Sequence, residues 1–235
     1  YPDKDYFLTD VFLLSSGTSK IESNYIAPIY TETQNRFLPQ DANNRFLFVP
    51  FDNDGFITYG SLPLSRGIDP TSLGVGRYAR DTISFEVTSI FNGETQEGLV
   101  IGSVEHDTWK SAIRMTGSPL SQAYINKLEC YSGATHSITR DATDNNWLQP
   151  HGAVKGTKIK SARMLVGLFD DWRTGMETFG DVNALIAPKR EWNNPTPFGW
   201  NSWGGMERNI NFDGVISVSD FIKENIQGKG HFGED

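Results

Sequence analysis

The sequence is poor in cysteine and in basic residues, and it has no long apolar run. One cysteine, Cys130, stands among 235 residues, which excludes an internal disulfide and a zinc site built from several cysteines. Lys and Arg total 21 against 29 Asp and Glu, and the net charge of −8 argues against nucleic-acid binding, which requires a basic surface. No stretch approaches the about 18 apolar residues of a membrane-spanning helix, so no membrane span is predicted.

Short catalytic and metal-binding motifs are also absent. The chain has no G-x-x-x-x-G-K-[ST], G-x-G-x-x-G or G-x-S-x-G sequence, so phosphate-loop and serine-hydrolase functions have no support. His106, His136, His151 and His231 lack the spacing of metal ligands. Residues 52–55 (DNDG) resemble the start of a calcium loop without its distal Glu. No cofactor is expected, and structural calcium at this turn is a minor alternative.

Aromatic and turn residues are plentiful, which favours an all-β domain. Aromatics make up 12% of the chain, and 23 Gly and 11 Pro are dispersed along it. Residues 81–92 (DTISFEVTSIFN) alternate apolar and polar side chains, which predicts one half-buried strand. The Asn92-Gly93 pair predicts a hairpin turn into a partner strand at 98–104 (GLVIGSV).

The rest of the pattern predicts more strands and one helix. Further strands are predicted at 6–14, 45–51, 56–60, 108–115, 125–131 and 160–169. Cys130 alternates with Leu128 on one of them, so we expect a buried, inert thiol. The one convincing helix follows a capping-box-like sequence that begins at Ser217, and it ends before Gly228.

A change of sequence composition near residue 188, from a strand-rich pattern to a proline-rich segment, predicts the domain organisation. Residues 1–187 read as a mainly β body of antiparallel sheets. Residues 188–197 hold three prolines and read as a linker. Residues 198–235 then supply a short strand and the helix, which is the first unit of an α/β domain.

The most specific stretch is the sequence FGWNSW at residues 198–203. Read as a strand, it places Trp200 and Ser202 on one face and Asn201 and Trp203 on the other. At a strand end, Trp203 could stack on the apolar face of a sugar while Asn201 or Ser202 hydrogen-bonds its hydroxyls. The alternative is that both tryptophans belong to a core, as most tryptophans do.

The sequence PFGWNSWGGM at 197–206 resembles the first barrel strand of the α-galactosidase (melibiase-like) clan of glycoside hydrolases. In that clan the strand opens a (β/α)8 barrel, and the resemblance implies that Trp203 lines the pocket for the terminal sugar. Residues 98–110 (GLVIGSVEHDTWK) and 180–192 (GDVNALIAPKREW) are similar, more loosely, to the β-supersandwich that precedes the barrel in larger bacterial members. The resemblance therefore implies an N-terminal supersandwich and an α-galactoside-type substrate.

The catalytic part of such an enzyme is not in this sequence. A (β/α)8 barrel needs about 250 residues, whereas 235 − 196 = 39 residues follow Thr196. Neither catalytic carboxylate of the clan has a matching motif. We therefore expect the N-terminal, non-catalytic portion of a retaining glycosidase, inactive alone, from a secreted or periplasmic bacterial system whose signal peptide has been removed.

Two further groups are candidates for the substrate cleft. His106, Asp107 and Trp109 follow a predicted strand and could complete the rim of a sugar pocket, although a polar turn is the simpler interpretation. Asp170 and Asp171 are expected in a loop, with Arg173 or a backbone N–H paired to one of them. Trp147 and Trp172 are candidate sugar platforms, but packing is the preferred interpretation for both.

Two other functions remain open. A stand-alone carbohydrate-binding module would present co-planar, exposed tryptophans on one sheet face. A structural or interaction domain would bury its tryptophans and bind no sugar. Because a barrel strand without neighbours exposes both edges, residues from 197 onward are expected to dock back on the sheet or to form homodimer contacts.

Overall fold

The computed structural model describes residues 3–32, 38–39, 41–49, 60–64, 81–117, 125–133, 152–194 and 199–227. The chain forms two compact units, Tyr1–Pro188 and Lys189–Asp235. We call them the sandwich unit and the C-terminal unit.

The sandwich unit is mainly β and carries one long helix. Its described strands are β1 (Tyr6–Thr9), β2 (Phe12–Leu14), β3 (Ile21–Ser23), β4 (Ile26–Thr31), β5 (Asn44–Phe48), β6 (Gly60–Pro63), β7 (Asp81–Phe85), β8 (Val87–Asn92), β9 (Gly98–Ser103), β10 (Ser111–Gly117), β11 (Ile125–Ser132), β12 (Val154–Gly156), β13 (Lys158–Lys160) and β14 (Met164–Phe169). Helix α1 spans Trp172–Ile186.

Two antiparallel sheets face each other across a shared core, as in a β-sandwich. One has six strands in the order β1-β14-β9-β8-β5-β6, and the other has four in the order β4-β11-β10-β7. Phe46 and Ile101 of the first sheet pack with Ile113 and Leu128 of the second. The pairs β12–β3 and β13–β2 form two small ribbons beside them. The mainly β, antiparallel prediction is confirmed.

The predicted hairpin and the predicted core thiol are also confirmed. Strand β8 pairs with β9 through the turn that follows Asn92. Cys130 and Leu128 lie side by side in the core between the sheets. Burial, and then the charge of Glu129, raise the pKa of the Cys130 thiol, so the thiol stays protonated and unreactive.

Helix α1 was not predicted, and it covers the outer face of the six-stranded sheet. Val182 is buried there, and Met176 and Phe179 pack beside it. Gly175 lies against Phe169 and Val100 so closely that a Cβ atom would stand 2.6 Å from the ring. Two glycines in the helix weakened the sequence signal, and the close packing they permit outweighs their low helix propensity.

Three long predicted strands are wrong in one respect: each is divided where the chain changes sheet. Residues 81–92 break at Glu86, whose φ of +66° turns the chain from β7 in the four-stranded sheet to β8 in the six-stranded sheet. Residues 6–14 divide into β1 and β2, and residues 160–169 into the end of β13 and β14. A side-chain pattern of period two does not reveal which sheet a strand joins.

The C-terminal unit is helical in its described part. Helix α2 (Trp203–Met206) is followed by a 3-10 turn (Glu207–Asn209) and by helix α3 (Phe212–Asn225). The predicted helix is therefore confirmed, but its start at Ser217 is wrong. Asn211 caps α3 instead, because its side chain accepts the Gly214 N–H at 2.8 Å.

The strand predicted at 198–203 is not observed in the described residues 199–203. Residues 199–201 are irregular, and Trp203 begins helix α2. The Asn201 side chain accepts the backbone N–H of Trp203 at 2.8 Å, which favours a turn over an extended strand.

Candidate functional site

The sandwich unit carries a cleft of about 550 Å³. Three separate segments line it: residues 105–109 after β9, residues 160–162 at the end of β13 and just after it, and Ile186 and Ala187 at the end of α1 and just after it. Three of the predicted site residues, His106, Asp107 and Trp109, therefore share one cleft. We call residues 105–109 the cleft loop.

Hydrogen bonds hold both ends of the cleft loop. Before the loop, the Val104 N–H donates to the Arg163 carbonyl at 2.9 Å. At its far end, Trp109 is 4% exposed and its indole N–H donates to the Lys160 carbonyl at 2.7 Å. A sugar platform needs an open ring face, which Trp109 lacks. Trp109 instead forms the floor of the cleft, packed on Ile159 and Ala162.

Three charged residues outside the loop, Asp10, Lys160 and Arg163, form a network with Glu105 at its start. Lys160 Nζ donates to both Glu105 carboxylate oxygens at 2.6 Å, and the Arg163 N–H donates to one of them at 3.1 Å. Asp10 Oδ2 lies 3.0 Å from Arg163 Nε and 3.4 Å from Lys160 Nζ. Two cations thus balance two carboxylates, and Glu105 is fully engaged in holding the loop.

His106 connects the loop to two other segments of the sandwich unit. Its Nε2 lies 2.7 Å from Asn183 Oδ1 on α1, and its Nδ1 lies 3.2 Å from Glu86 Oε2. The Asn183 amide nitrogen donates to the Phe179 carbonyl, which fixes the amide so that its oxygen faces the ring. His106 therefore bridges helix α1 and the turn between β7 and β8.

Asp107 is the carboxylate that remains available to a ligand. It is exposed, and its side chain makes no hydrogen bond or ion pair with the residues that the structure describes. Retaining hydrolysis needs two carboxyl groups about 5–5.5 Å apart, and Glu105 is already held by Lys160 and Arg163. The exposed Asp107 carboxylate can therefore accept hydrogen bonds from the hydroxyl groups of a ligand.

The other predicted site residues lie in the C-terminal unit. Trp200 and Trp203 are 41% and 61% exposed, so neither belongs to a core. Asn201 uses its side-chain oxygen on the Trp203 N–H, which leaves its amide NH2 group for other contacts.

Asp171 and Trp172 have structural roles. Asp171 caps α1 and accepts hydrogen bonds from Arg173, which lower the pKa of its carboxyl to about 2. The pairing predicted for this loop is thus confirmed. Trp172 stacks on Phe91 with ring centroids 4.3 Å apart and donates its N–H to Gln96, so it is a packing residue as predicted. Trp147 and residues 52–55 lie outside the described residues.

Sequence reasoning missed the residues that build the cleft around its loop. Lys160, Arg163 and Asn183 lie 55, 58 and 77 residues from the loop residues they contact. No local pattern joins residues so far apart. Among the described residues, no cluster of His, Cys, Asp or Glu is arranged to hold a metal ion. No described helix has the length and apolar character to span a membrane.

Comparison with protein-family models finds no match for this chain. Comparison with curated proteins likewise finds no match.

Proposed function

We propose that the chain is the N-terminal, non-catalytic portion of a retaining glycoside hydrolase that acts on α-linked sugars, with an α-galactoside-type glycan as substrate. In this proposal the sandwich unit is a supersandwich that supports a (β/α)8 barrel, and residues 198–235 open that barrel. The cleft loop shapes the substrate cleft. The protein is secreted or periplasmic in this proposal.

The observation that carries the proposal is the sequence PFGWNSWGGM together with the exposure of its tryptophans. Trp203 is 61% exposed and Trp200 is 41% exposed, and Asn201 and Ser202 lie between them. An open indole face beside amide and hydroxyl groups is the chemistry that recognises a sugar ring, because the sugar offers both an apolar C–H face and hydroxyl groups.

Helix α3 gives independent support for a barrel. At about 100° per residue, its apolar side chains are spread over more than half of its circumference, with Ser219, Lys223 and Asn225 between them. The apolar side chains are Phe212, Val215, Ile216, Val218, Phe221 and Ile222. No residue of the helix is buried. A helix of a (β/α)8 barrel packs on strands below and on helices at both sides, which is the environment that this pattern requires.

A stand-alone carbohydrate-binding module is the second candidate. The exposed tryptophans Trp192, Trp200 and Trp203 favour sugar binding in general. The described tryptophans of the sandwich unit do not form a platform on a sheet face, since Trp109 is buried and Trp172 stacks on Phe91 from helix α1. The module therefore explains less than the glycosidase portion does.

The test compares this chain with the complete native gene product. We expect the mass of the complete product to exceed 26.3 kDa by several tens of kDa. We also expect it to cleave p-nitrophenyl α-galactoside with retention of the anomeric configuration, which NMR of the released sugar measures. We expect no turnover by the 235-residue chain alone. A native product of about 26.3 kDa would exclude the glycosidase.

A substitution in the complete product tests the role of the motif. Trp203→Ala should weaken substrate binding and lower kcat/KM by roughly 5- to 150-fold, as loss of about 1–3 kcal/mol does, the range for a base stacked on an aromatic side chain. Trp192→Ala is the control, because Trp192 is similarly exposed at 57% and lies outside the motif. Equal kinetics for the two variants would remove Trp203 from the sugar site.

A further inference from the structure

Strand β2 exposes three consecutive apolar side chains. Phe12, Leu13 and Leu14 are 42%, 37% and 67% exposed. Consecutive exposed apolar residues on a strand are unfavourable in water unless they serve an interface. Within the described residues, β2 pairs with β13 alone and its other edge is unpaired; we call this the open edge.

The backbone groups on that open edge are identified by the pairing with β13. The bonds Ser161 N–H to Val11 carbonyl and Ser15 N–H to Thr157 carbonyl belong to the same register as the Leu13–Ile159 pair. In an antiparallel ladder, bonded and non-bonded pairs alternate. Leu13 therefore bonds toward β13, and the N–H and C=O groups of Phe12 and Leu14 point to the open edge.

The charge distribution around this edge favours self-association. Residues 11–19 (VFLLSSGTS) contain no charged side chain, although the chain carries a net charge of −8. Natural edge strands are usually protected by charges or prolines, and β2 has neither. The nearest cations lie on the partner strand, where Lys158 and Lys160 stand opposite Leu14 and Phe12.

We propose that β2 is a homodimer edge, at which the β2 strands of two copies of this chain pair antiparallel about a two-fold axis. This proposal does not rest on the proposed function. The register is set by the outward groups: Phe12 of each copy bonds with Leu14 of the other, giving four backbone hydrogen bonds, and the two Leu13 residues meet on the axis. Any other register leaves some of these groups unpaired.

This pairing also places the side chains favourably. Phe12 and Leu14 share one face of β2, since strand neighbours two apart point the same way. In the dimer each Phe12 lies beside Leu14 of the other copy, and the four apolar side chains form one patch. Lys158 and Lys160 of each copy lie on β13, on the side of β2 away from the axis, so the two β2 strands separate the lysines of the two copies. Lys158 Nζ already lies 4.1 Å from the Phe12 ring centroid.

The expected dimer is weak. Three partly exposed side chains on each copy bury far less than the about 1,200–2,000 Å² of a stable interface. We therefore expect reversible association that is visible between roughly 10 µM and 1 mM protein.

Sedimentation velocity across this concentration range is the first test. The unmodified chain should change from monomer toward dimer as the concentration rises. Leu14→Lys should shift the midpoint to at least about 10-fold higher concentration, since it places a charge on the patch. Leu185→Lys is the matched control, because Leu185 is 81% exposed on α1 and the charge change is the same. Circular dichroism checks that both variants fold.

Cysteine cross-linking tests the register itself. The Cα atoms of a non-bonded antiparallel pair lie about 4.5 Å apart, within the range that a disulfide spans. Leu13→Cys should therefore form a covalent dimer under mild oxidation, and Leu185→Cys should not. The native Cys130 is buried and does not interfere.

Three results would overturn the proposal. They are a chain that stays monomeric at 1 mM, equal association of the Leu14→Lys and Leu185→Lys variants, and equal cross-linking of the two cysteine variants. A dimer that Phe221→Lys abolishes while Leu14→Lys leaves it intact would move the interface to α3 in the C-terminal unit.

Discussion

The sandwich unit and the C-terminal unit differ in what holds their secondary structure. The sandwich unit has a core in which Phe46, Ile113 and Met164 are wholly buried. Among the described residues of the C-terminal unit, none is buried. Its helix α3 is supported by a local device, the Asn211 cap, and by its own hydrogen bonds. Local signals can therefore specify a helix where packing contributes little, although such helices are marginal in isolation.

Truncation of one phenylalanine in each unit gives the largest expected contrast. Phe46→Ala should lower the free energy of unfolding of the sandwich unit by about 3–5 kcal/mol, because Phe46 is fully buried and leaves a cavity. Phe212→Ala should change stability by less than about 0.5 kcal/mol, because Phe212 is 78% exposed. Urea unfolding followed by near-UV circular dichroism measures both. A comparable loss from Phe212→Ala would show that α3 is packed in solution.

Substitution of the two glycines in helix α1 distinguishes the effect of packing on stability from the effect of helix propensity. Gly175→Ala should destabilise the sandwich unit by about 1–3 kcal/mol, because the added methyl would lie 2.6 Å from Phe169 and 2.7 Å from Val100. Gly180→Ala should stabilise it by about 0.5–1 kcal/mol, because nothing lies within 4 Å and alanine favours the helix. Thermal unfolding of the two variants decides this. A gain in stability for Gly175→Ala would mean that α1 is not seated on the sheet.

The cap of α1 gives the smallest expected effect and a pH dependence. The pKa of Asp171 is lowered to about 2 by hydrogen bonds from Arg173, so its carboxylate stabilises the fold above the ordinary pKa of about 3.9 and loses this effect as the pH falls toward 2. Thermal unfolding should show the native chain slightly more stable than Asp171→Asn at pH 6, with the difference disappearing near pH 2. Asp170→Asn, which changes the neighbouring carboxylate, is the control and should show a smaller difference at pH 6.

The sequence predicts those parts of the fold that depend on neighbouring residues. The β8–β9 hairpin follows from alternation and an Asn-Gly turn, and the burial of Cys130 follows from its register with Leu128. The pairing of Asp171 with Arg173 is predicted because the two residues are close in the chain, whereas the helix that Asp171 caps is not. Each of these features is set by contacts within a few residues or across one turn.

The parts that could not be predicted depend on residues far apart in the chain. Glu86 turns the chain from one sheet to the other, and nothing in its neighbours distinguishes it from a residue within a strand. Helix α1 is stabilised by packing on the outer face of the six-stranded sheet. Its two glycines lower its helix propensity, so the sequence alone does not predict it. The sequence singles out His106 and Asp107, which line the candidate cleft, whereas the contacts of their loop with Lys160 and Asn183 depend on the fold.

The contacts that hold the cleft loop determine whether the loop can be transferred to another protein. His106 is positioned by Asn183 and Glu86, and Glu105 is positioned by Lys160. All three partners lie outside residues 105–109 and would be left behind if the loop alone were transferred. A graft of the loop onto another scaffold would transfer its sequence without its shape, so any engineering of this cleft has to keep the sandwich and helix α1 together as one part.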